Sequence, residues 1–279
     1  MMTRGTALFL GIVICSLANA QDQDQPNSIS VVYKTVGEKS LFMDVLVPPV
    51  RSPAEKRPAI VFFHGGGWVG GPLKQFAMQA KYFQSRGTVC FLVQYRLLDK
   101  DDHHPPTICI EDARDAFGFI QSHADEYSID PERIAGAGGS AGGHLAAACG
   151  MIDVEGKPFA ARPKALMLFN PVYDNGPGQW GAGRVGDRYL EFSPAHNISA
   201  DDPPTIVFFG TKDKLVTVET AQAFQKKMQD VGVRSDLVLY EGAGHGFFNS
   251  DKPPENYQEQ TLKAADDFLV SLGWLKSQE

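Results

Sequence analysis

A serine flanked by glycines is the residue of this chain best suited to nucleophilic chemistry. The segment Gly138-Gly139-Ser140-Ala141-Gly142 matches G-x-S-x-G and stands between the strand-like run RIAGAGG and an alanine-rich helical stretch. A strand before and a helix after allow this pattern to hold a serine on a strained turn, with its hydroxyl projecting from the sheet. We therefore predict that Ser140 is a nucleophile. The alternative is a glycine-rich turn that binds phosphate, which the lack of a following lysine disfavours.

A serine hydroxyl needs a base that is itself oriented by an acid, and both follow Ser140 in the chain. The order in this class of fold is serine, then aspartate or glutamate, then histidine. His245 follows the run SDLVLY in the loop GAGHGF, and six of the seven histidines precede that run. Asp213 closely follows the run PTIVFFG, whereas Asp201 and Asp202 precede it, at the wrong end of a parallel strand. We therefore predict His245 as the base and Asp213 as the acid; the alternatives are a loop histidine and a solvated turn aspartate.

A second glycine-rich segment, His64-Gly65-Gly66-Gly67-Trp68, follows the apolar run PAIVFF. Acyl transfer develops a negative charge on oxygen, which preplaced backbone N–H groups stabilise, and glycine leaves room for the acyl group. We predict that the N–H groups of Gly66, Gly67 and Ala141 form this oxyanion hole, while Gly65 keeps the turn tight. A plain glycine-rich loop is the alternative.

The elements that must position these residues alternate along the chain. The runs SISVVYKTV and SLFMDVLV predict an antiparallel hairpin turned at Gly37-Glu38-Lys39. From Pro58 onward, short β-branched or aromatic runs alternate with helical stretches, which indicates a parallel sheet with helices on both faces. Eight runs are candidate strands. The predicted helices lie within 74–86, over about 107–123, from 141 onward, within 218–231 and within 255–272.

The interval from Pro171 to Pro204 is rich in glycine and proline and has little helical period. It occupies the place of a lid but is short for one, so we expect an open site. Trp180 in this interval, and Trp68 after the three glycines, are candidates for lining the site and stacking on a sugar or aromatic ring. Core packing or loop anchoring is the alternative for each.

The N-terminus has the organisation of a secretory signal peptide. Arg4 precedes the apolar run Ala7–Ala18, and small residues extend to Ala20. We expect residues 1–20 to be cleaved and the protein to be secreted or periplasmic. An uncleaved membrane anchor is the alternative, for which the apolar run is short.

Composition limits the fold and the partners. A chain of 279 residues, 43% apolar and 21% charged, is compatible with one large α/β domain, expected over 21–279 with a flexible leader at 21–28. Its net charge of −7, which loss of Arg4 would take to −8, argues against nucleic acid or anionic membrane surfaces as partners.

The remaining cysteines and a histidine pair give little sign of metal binding. Cys90, Cys109 and Cys149 form an odd, widely spaced set without metal spacing, so we expect buried thiols and leave a bridge between Cys90 and Cys109 open. His103-His104 lies among Asp and Pro without a third ligand at useful spacing, which indicates a solvated loop.

The segments HGGGW, GGSAGG, FFGTKD and GAGHGF together resemble the α/β-hydrolase superfamily, on the branch of acetyl-esterase, feruloyl-esterase and hormone-sensitive-lipase-like enzymes. The resemblance extends over 29–275. It implies an α/β-hydrolase fold, with the nucleophile at Ser140, the acid at Asp213 and the base at His245. The hormone-sensitive-lipase-like enzymes usually carry a helical N-terminal cap, where this chain has a strand hairpin. We therefore expect no large cap domain, and short acyl groups on exposed substrates.

The resemblance implies a function more specific than the acyl transfer that the residues indicate. It implies a secreted serine carboxylesterase without metal or cofactor, acting on acetyl or hydroxycinnamoyl esters of plant-type polysaccharides such as xylan. The alternatives are a small-molecule or xenobiotic esterase or lipase, and a peptidase resembling the prolyl oligopeptidase group but without its propeller-like domain. A non-catalytic binding protein of hydrolase fold is the remaining alternative, disfavoured because no triad member is replaced.

Overall fold

The structure, a computed structural model, describes residues 28–49, 56–101, 103–153, 159–250 and 256–278. The predicted signal peptide, and the predicted leader up to residue 27, lie outside the described residues, so both remain predictions. Ser28, the last residue of the predicted leader, begins the first strand.

One eight-stranded sheet runs through the described part of the chain. Its strands are β1 (Ser28–Val36), β2 (Lys39–Leu46), β3 (Arg57–Phe63), β4 (Val89–Val93), β5 (Ile129–Gly139), β6 (Ala165–Phe169), β7 (Thr205–Gly210) and β8 (Ser235–Tyr240). Their order across the sheet is β1-β2-β4-β3-β5-β6-β7-β8. The β1–β2 and β2–β4 pairs are antiparallel and all the others are parallel, which confirms the predicted hairpin and the mostly parallel sheet.

Helices pack on both faces of this sheet. They are α1 (Ala77–Ser85), α2 (Thr107–Ser122), α3 (Ala141–Met151), the short α4 (Ala182–Val185), α5 (Val218–Asp230) and α6 (Tyr257–Ser271). Buried side chains of α1 and α6 share one apolar cluster with one face of the sheet, and those of α2, α3 and α5 share a second cluster with the other face. The sheet is therefore covered on both sides, as the near-continuous apolar strands require.

Strand β5 begins earlier than the run RIAGAGG predicts. Ile129 already pairs with Arg57 of β3, and regular pairing resumes only where Ile134 meets Ala59. The irregular stretch contains Pro131, which has no N–H to donate to a ladder. Periodicity alone did not reveal this extension because the stretch does not alternate.

The sheet brings the predicted site residues to one edge. The segments after β3, β5, β7 and β8 all leave the carboxyl ends of parallel strands, where the ligands of open α/β sheets bind. Residues 171–204 connect β6 to β7 and contain α4 and two short 3₁₀ turns instead of a cap domain. No helix in the described ranges is long and apolar enough to cross a membrane. Cys90, Cys109 and Cys149 are buried free thiols.

Candidate active site

Ser140 occupies a strained turn between β5 and α3. Its backbone angles are φ +53° and ψ −117°, a region that residues with a side chain rarely adopt. A Cβ on Gly138 would lie 2.4 Å from the carbonyl carbon of Gly142, and a Cβ on Gly142 would lie 2.0 Å from the carbonyl oxygen of Phe63. Both flanking glycines are therefore required, because the turn packs directly against its own helix and against the end of β3.

Ser140, His245 and Asp213 form a continuous hydrogen-bonded chain. Ser140 Oγ lies 2.8 Å from Nε2 of His245, and Nδ1 of His245 lies 2.7 Å from Oδ2 of Asp213. The carboxylate is an acceptor only, so Nδ1 carries the proton and Nε2 is free to accept from the serine hydroxyl. The side chain of Asp213 is fully buried, whereas that of His245 is 22% exposed. The three residues that the sequence predicts to act together are thus in contact, and the site is open to solvent.

The predicted oxyanion loop lies against the nucleophile. A Cβ on Gly65 would lie 3.4 Å from Cβ of Ser140. The N–H of Gly65 donates to Oε1 of Gln75 at 2.6 Å, whereas the N–H groups of Gly66 and Gly67 make no hydrogen bond within the described residues. Ala141 begins α3, where a helical N–H has no partner in the preceding turn. The three predicted donors are therefore uncommitted and the fourth amide of the region is used internally.

His64 and Tyr95 hold the start of this loop. The Tyr95 hydroxyl donates to the backbone oxygen of His64 at 2.8 Å, and the two rings stack with their centroids 4.4 Å apart. Burial lowers the pKa of His64, so its imidazole is neutral. The adjacent histidine of the HGGGW segment is thus a structural residue of the loop.

The two candidate tryptophans have different positions. Trp68 is fully buried and lies edge-on to His144 of α3, with ring centroids 5.0 Å apart, so the packing alternative holds for Trp68 in place of substrate contact. Trp180 is half-buried and packs on Trp68 at 5.0 Å. Its ring atoms lie 3.8 Å from where a Cβ on Gly67 would be. Trp180 therefore forms a wall beside the oxyanion loop, held in place by Trp68.

His144 ties the nucleophile helix to the interval 171–204. It is fully buried, its Nε2 donates to the carbonyl oxygen of Phe192 at 2.7 Å, and burial lowers its pKa to about 4. A neutral histidine at this point positions Trp180 indirectly.

Sequence reasoning missed two polar residues of the site. Asn170, directly after β6, is fully buried with φ +33°; its Oδ1 accepts the N–H of Gly246 at 3.0 Å, and its Nδ2 lies 3.4 Å from Nε2 of His245. Gln75 accepts from Gly65, as described above. The position of Asn170 at a strand's carboxyl end was a usable signal. Gln75 gives none in the sequence, since it meets Gly65 only through the packing of a 3₁₀ turn.

The arrangement suits attack of an activated hydroxyl on a carbonyl carbon. It provides a nucleophile, a base with its orienting acid, and N–H donors next to the reacting centre. Within the described ranges, no group of three or more His, Cys, Asp or Glu residues is placed to hold a metal ion.

Two family models match the chain. The model described as BD-FAE matches residues 43–165, and the model of the prolyl oligopeptidase family matches residues 107–270, more than half of the chain. The second match contains all three residues of the hydrogen-bonded chain.

Solved structures and curated relatives agree with each other in kind. Thermogutta terrifontis esterase 2, phosphorylated by paraoxon, is 37% identical, with a TM-score of 0.82, and the match covers 91% of this chain and 98% of that one. The butyrate-bound form of the same esterase is 36% identical with a TM-score of 0.82, covering 92% and 98%.

Esterase LipC of Mycobacterium tuberculosis is 28% identical over 70% of this chain and 54% of its own length. Acetylxylan esterase of Xylanibacter ruminicola is 28% identical over 78% of this chain and 45% of its own. The chain thus spans about half the length of these two curated relatives.

Proposed function

The chain belongs to the α/β-hydrolase family of esterases, and we propose that it is a serine carboxylesterase that acts through Ser140, His245 and Asp213. The observation that carries this proposal is the unbroken chain of hydrogen bonds of 2.8 Å and 2.7 Å from the serine hydroxyl to a buried carboxylate. A serine with such partners is activated by proton transfer, whereas an isolated surface serine is not.

The geometry accounts for each step of ester hydrolysis. Ser140 Oγ attacks the ester carbonyl while His245 Nε2 takes its proton, and the resulting oxyanion accepts hydrogen bonds from Gly66, Gly67 and Ala141. His245 then returns the proton to the departing alcohol, which leaves an acyl-enzyme. Water, deprotonated by His245, attacks this acyl group and releases the acid and the free serine. Asp213 keeps the imidazole in the required tautomer and stabilises its charged form.

The proposed substrates are short acyl esters, acetyl or hydroxycinnamoyl, on plant-type polysaccharides such as xylan. Three observations support this choice: no cap domain lies between β6 and β7, the His245 side chain remains exposed, and Trp180 narrows the space beside Gly67. Similarity to an acetylxylan esterase supports the polysaccharide. Secretion, which rests on the apolar run of 7–18, is part of the same proposal because such a substrate is outside the cell.

A small-molecule ester is the second candidate substrate. It is favoured by similarity to Thermogutta terrifontis esterase 2, whose solved forms include one with butyrate and one with propionate bound, and to an ethyl acetate hydrolase of Pseudomonas putida. An open site with a short acyl wall suits these substrates equally well.

The deciding experiment measures the acids released from acetylated, feruloylated arabinoxylan, with p-nitrophenyl acetate and a prolyl anilide assayed alongside. We expect acetate or ferulate from the wild type and none from Ser140→Ala. A fluorophosphonate probe should label the wild type but not the variant. Release from p-nitrophenyl acetate alone would contradict the polysaccharide, anilide cleavage alone would identify a peptidase, and absence of labelling would overturn the catalytic proposal.

A further inference from the structure

A cleft of about 740 Å³ opens at the edge of the sheet opposite the catalytic serine. It is bounded by Pro48 and Pro49 after β2, by Arg57 at the start of β3, and by Trp274 after α6. Because β3 and β5 are parallel, the start of β3 and Ser140 at the end of β5 lie at opposite edges of the sheet. The cleft is therefore separate from the active site, and its volume is in the range of small-ligand pockets.

The charged residues that line this cleft are all cationic. They are Lys56, Arg57, Arg86, Arg133 and Lys276, and none of the described lining residues is acidic. This contrasts with the whole chain, whose net charge is −7. Like charges gathered in a concave surface of an otherwise acidic protein attract an anion to that surface.

Three of these cations have carboxylate partners that do not line the cleft. Arg86 makes two hydrogen bonds to Asp266, of 2.6 and 3.1 Å. Arg133 pairs with Asp130 at 2.8 Å. Lys56 likewise pairs with an exposed aspartate, Asp125. These three pairs leave the remaining two cations to set the charge of the cleft.

Arg57 and Lys276 make no ion pair within the described residues. Arg57 is only 7% exposed, and its guanidinium donates to the carbonyl oxygens of Pro48 and Pro49 at 3.0 and 3.3 Å. A guanidinium has five N–H donors, so three of its donors remain beyond these two bonds. Burying a cation without a counter-charge is costly, and an anion in the cleft would offset that cost.

The shape and lining of the cleft indicate what carries the anion. A guanidinium fork matches a planar carboxylate, and the half-buried indole of Trp274 offers an apolar face beside it. The cleft is far larger than a lone carboxylate needs. We propose that it binds a carboxylate carried on a sugar ring, such as a uronic acid unit of a saccharide, independently of the esterase site.

The test is calorimetric titration of the full chain at low salt with glucuronate, glucose, acetate and inorganic phosphate as separate probes. We expect glucuronate to bind with a Kd of about a millimolar, weakening as salt is added. Glucose should fail for lack of charge, and acetate for lack of a ring. Lys276→Glu should weaken glucuronate binding by roughly fivefold or more, because it reverses an uncompensated charge.

Two matched controls accompany this variant. Lys226→Glu makes the same charge change on α5, outside the cleft, and should leave glucuronate binding as it is in the wild type. Hydrolysis of p-nitrophenyl acetate by Lys276→Glu should equal that of the wild type, which shows that the variant is folded. Because the titration measures binding alone, its outcome is separate from that of the esterase proposal.

Several results would overturn the inference. Equal binding of phosphate and glucuronate would mean that the cleft recognises charge alone, and equal weakening by both lysine variants would mean that binding is not in the cleft. Glu55 lies in the interval 50–55, outside the described residues. If Glu55→Gln bound glucuronate while the wild type did not, the chain's own carboxylate would be the anion and the proposed ligand would be wrong.

Discussion

Asp213 holds His245 with one oxygen while its own backbone holds the other. Oδ2 lies 2.7 Å from Nδ1 of His245, and Oδ1 accepts the N–H groups of Leu215 and Val216 at 2.8 and 3.2 Å. The carboxylate is therefore fixed in orientation as well as in charge. This arrangement makes the acid separable from the fold as a target for mutation.

Replacing Asp213 by asparagine should remove activity while preserving structure. An amide N–H facing Nδ1 forces the imidazole into the other tautomer, in which Nε2 carries the proton and cannot accept from Ser140. We expect kcat to fall by about 10⁴-fold, by analogy with serine proteases in which this change has been made. Steady-state kinetics with p-nitrophenyl acetate measures it, and Asp230→Asn on α5 is the control. A loss below tenfold would show that Asp213 is not the orienting acid.

Gly66→Ala should damage both activity and folding. Its φ of +122° is accessible mainly to glycine, and a Cβ would lie 2.2 Å from the carbonyl oxygen of Gly70. We expect a loss of at least about 2 kcal/mol in the free energy of unfolding, together with most of the activity. Gly118→Ala is the contrast, because nothing lies within 4 Å of its Cβ position inside α2, and it should stabilise by about 0.5–1 kcal/mol. Urea unfolding of both variants decides; equal stabilities would contradict the packing at Gly66.

Trp180→Ala should change which acyl chains are accepted. Removing the indole beside Gly67 opens space next to the oxyanion loop, so longer acyl groups should gain relative to acetate. We expect the ratio of kcat/KM for hexanoate over acetate to rise about tenfold, in line with the effect of a few methylenes in an apolar pocket. A series of p-nitrophenyl esters measures it, with Trp274→Ala, at the opposite edge of the sheet, as the control. An unchanged ratio would exclude Trp180 as the acyl wall.

Asp202 should make the protein less stable as the pH rises through about 6. Burial raises the pKa of its carboxyl from 3.8 to about 6 in the folded state, although Ser199 donates to it. The folded state thus binds this proton more tightly than the unfolded state, and that advantage is complete below pH 3.8 and lost above about 6. Asp202→Asn stays neutral, so its stability relative to the wild type should increase between pH 4 and pH 7.5.

Urea unfolding at several pH values tests this, with Asp201→Asn as the control. Asp201 is exposed, and its pKa is lowered, chiefly by the hydrogen bond from Ser199. Its variant should show no such gain. A constant difference between Asp202→Asn and the wild type across this range would contradict the raised pKa.

Local signals in the sequence were sufficient for the strands, the helices and the three residues of the hydrogen-bonded chain. Strand and helix periods differ, and chemistry at the end of a strand is recorded in short segments such as GGSAGG. The stretch before RIAGAGG was missed because its pairing with Arg57 is irregular. Asn170, Gln75 and the packing role of Trp68 were missed because each depends on a neighbour from a distant segment.

The sequence by itself determined which residues carry the chemistry, because the nucleophile, base and acid follow strands in a set order. Only the tertiary structure decided how those residues are held: which loop amide is used by Gln75 and which remain free, which tryptophan reaches the site, and which arginine is left without a counter-charge. The physical reason is range. Backbone preferences and periodicity act over a few residues and are readable along the chain, whereas hydrogen bonds, burial and charge compensation depend on groups that only folding brings together.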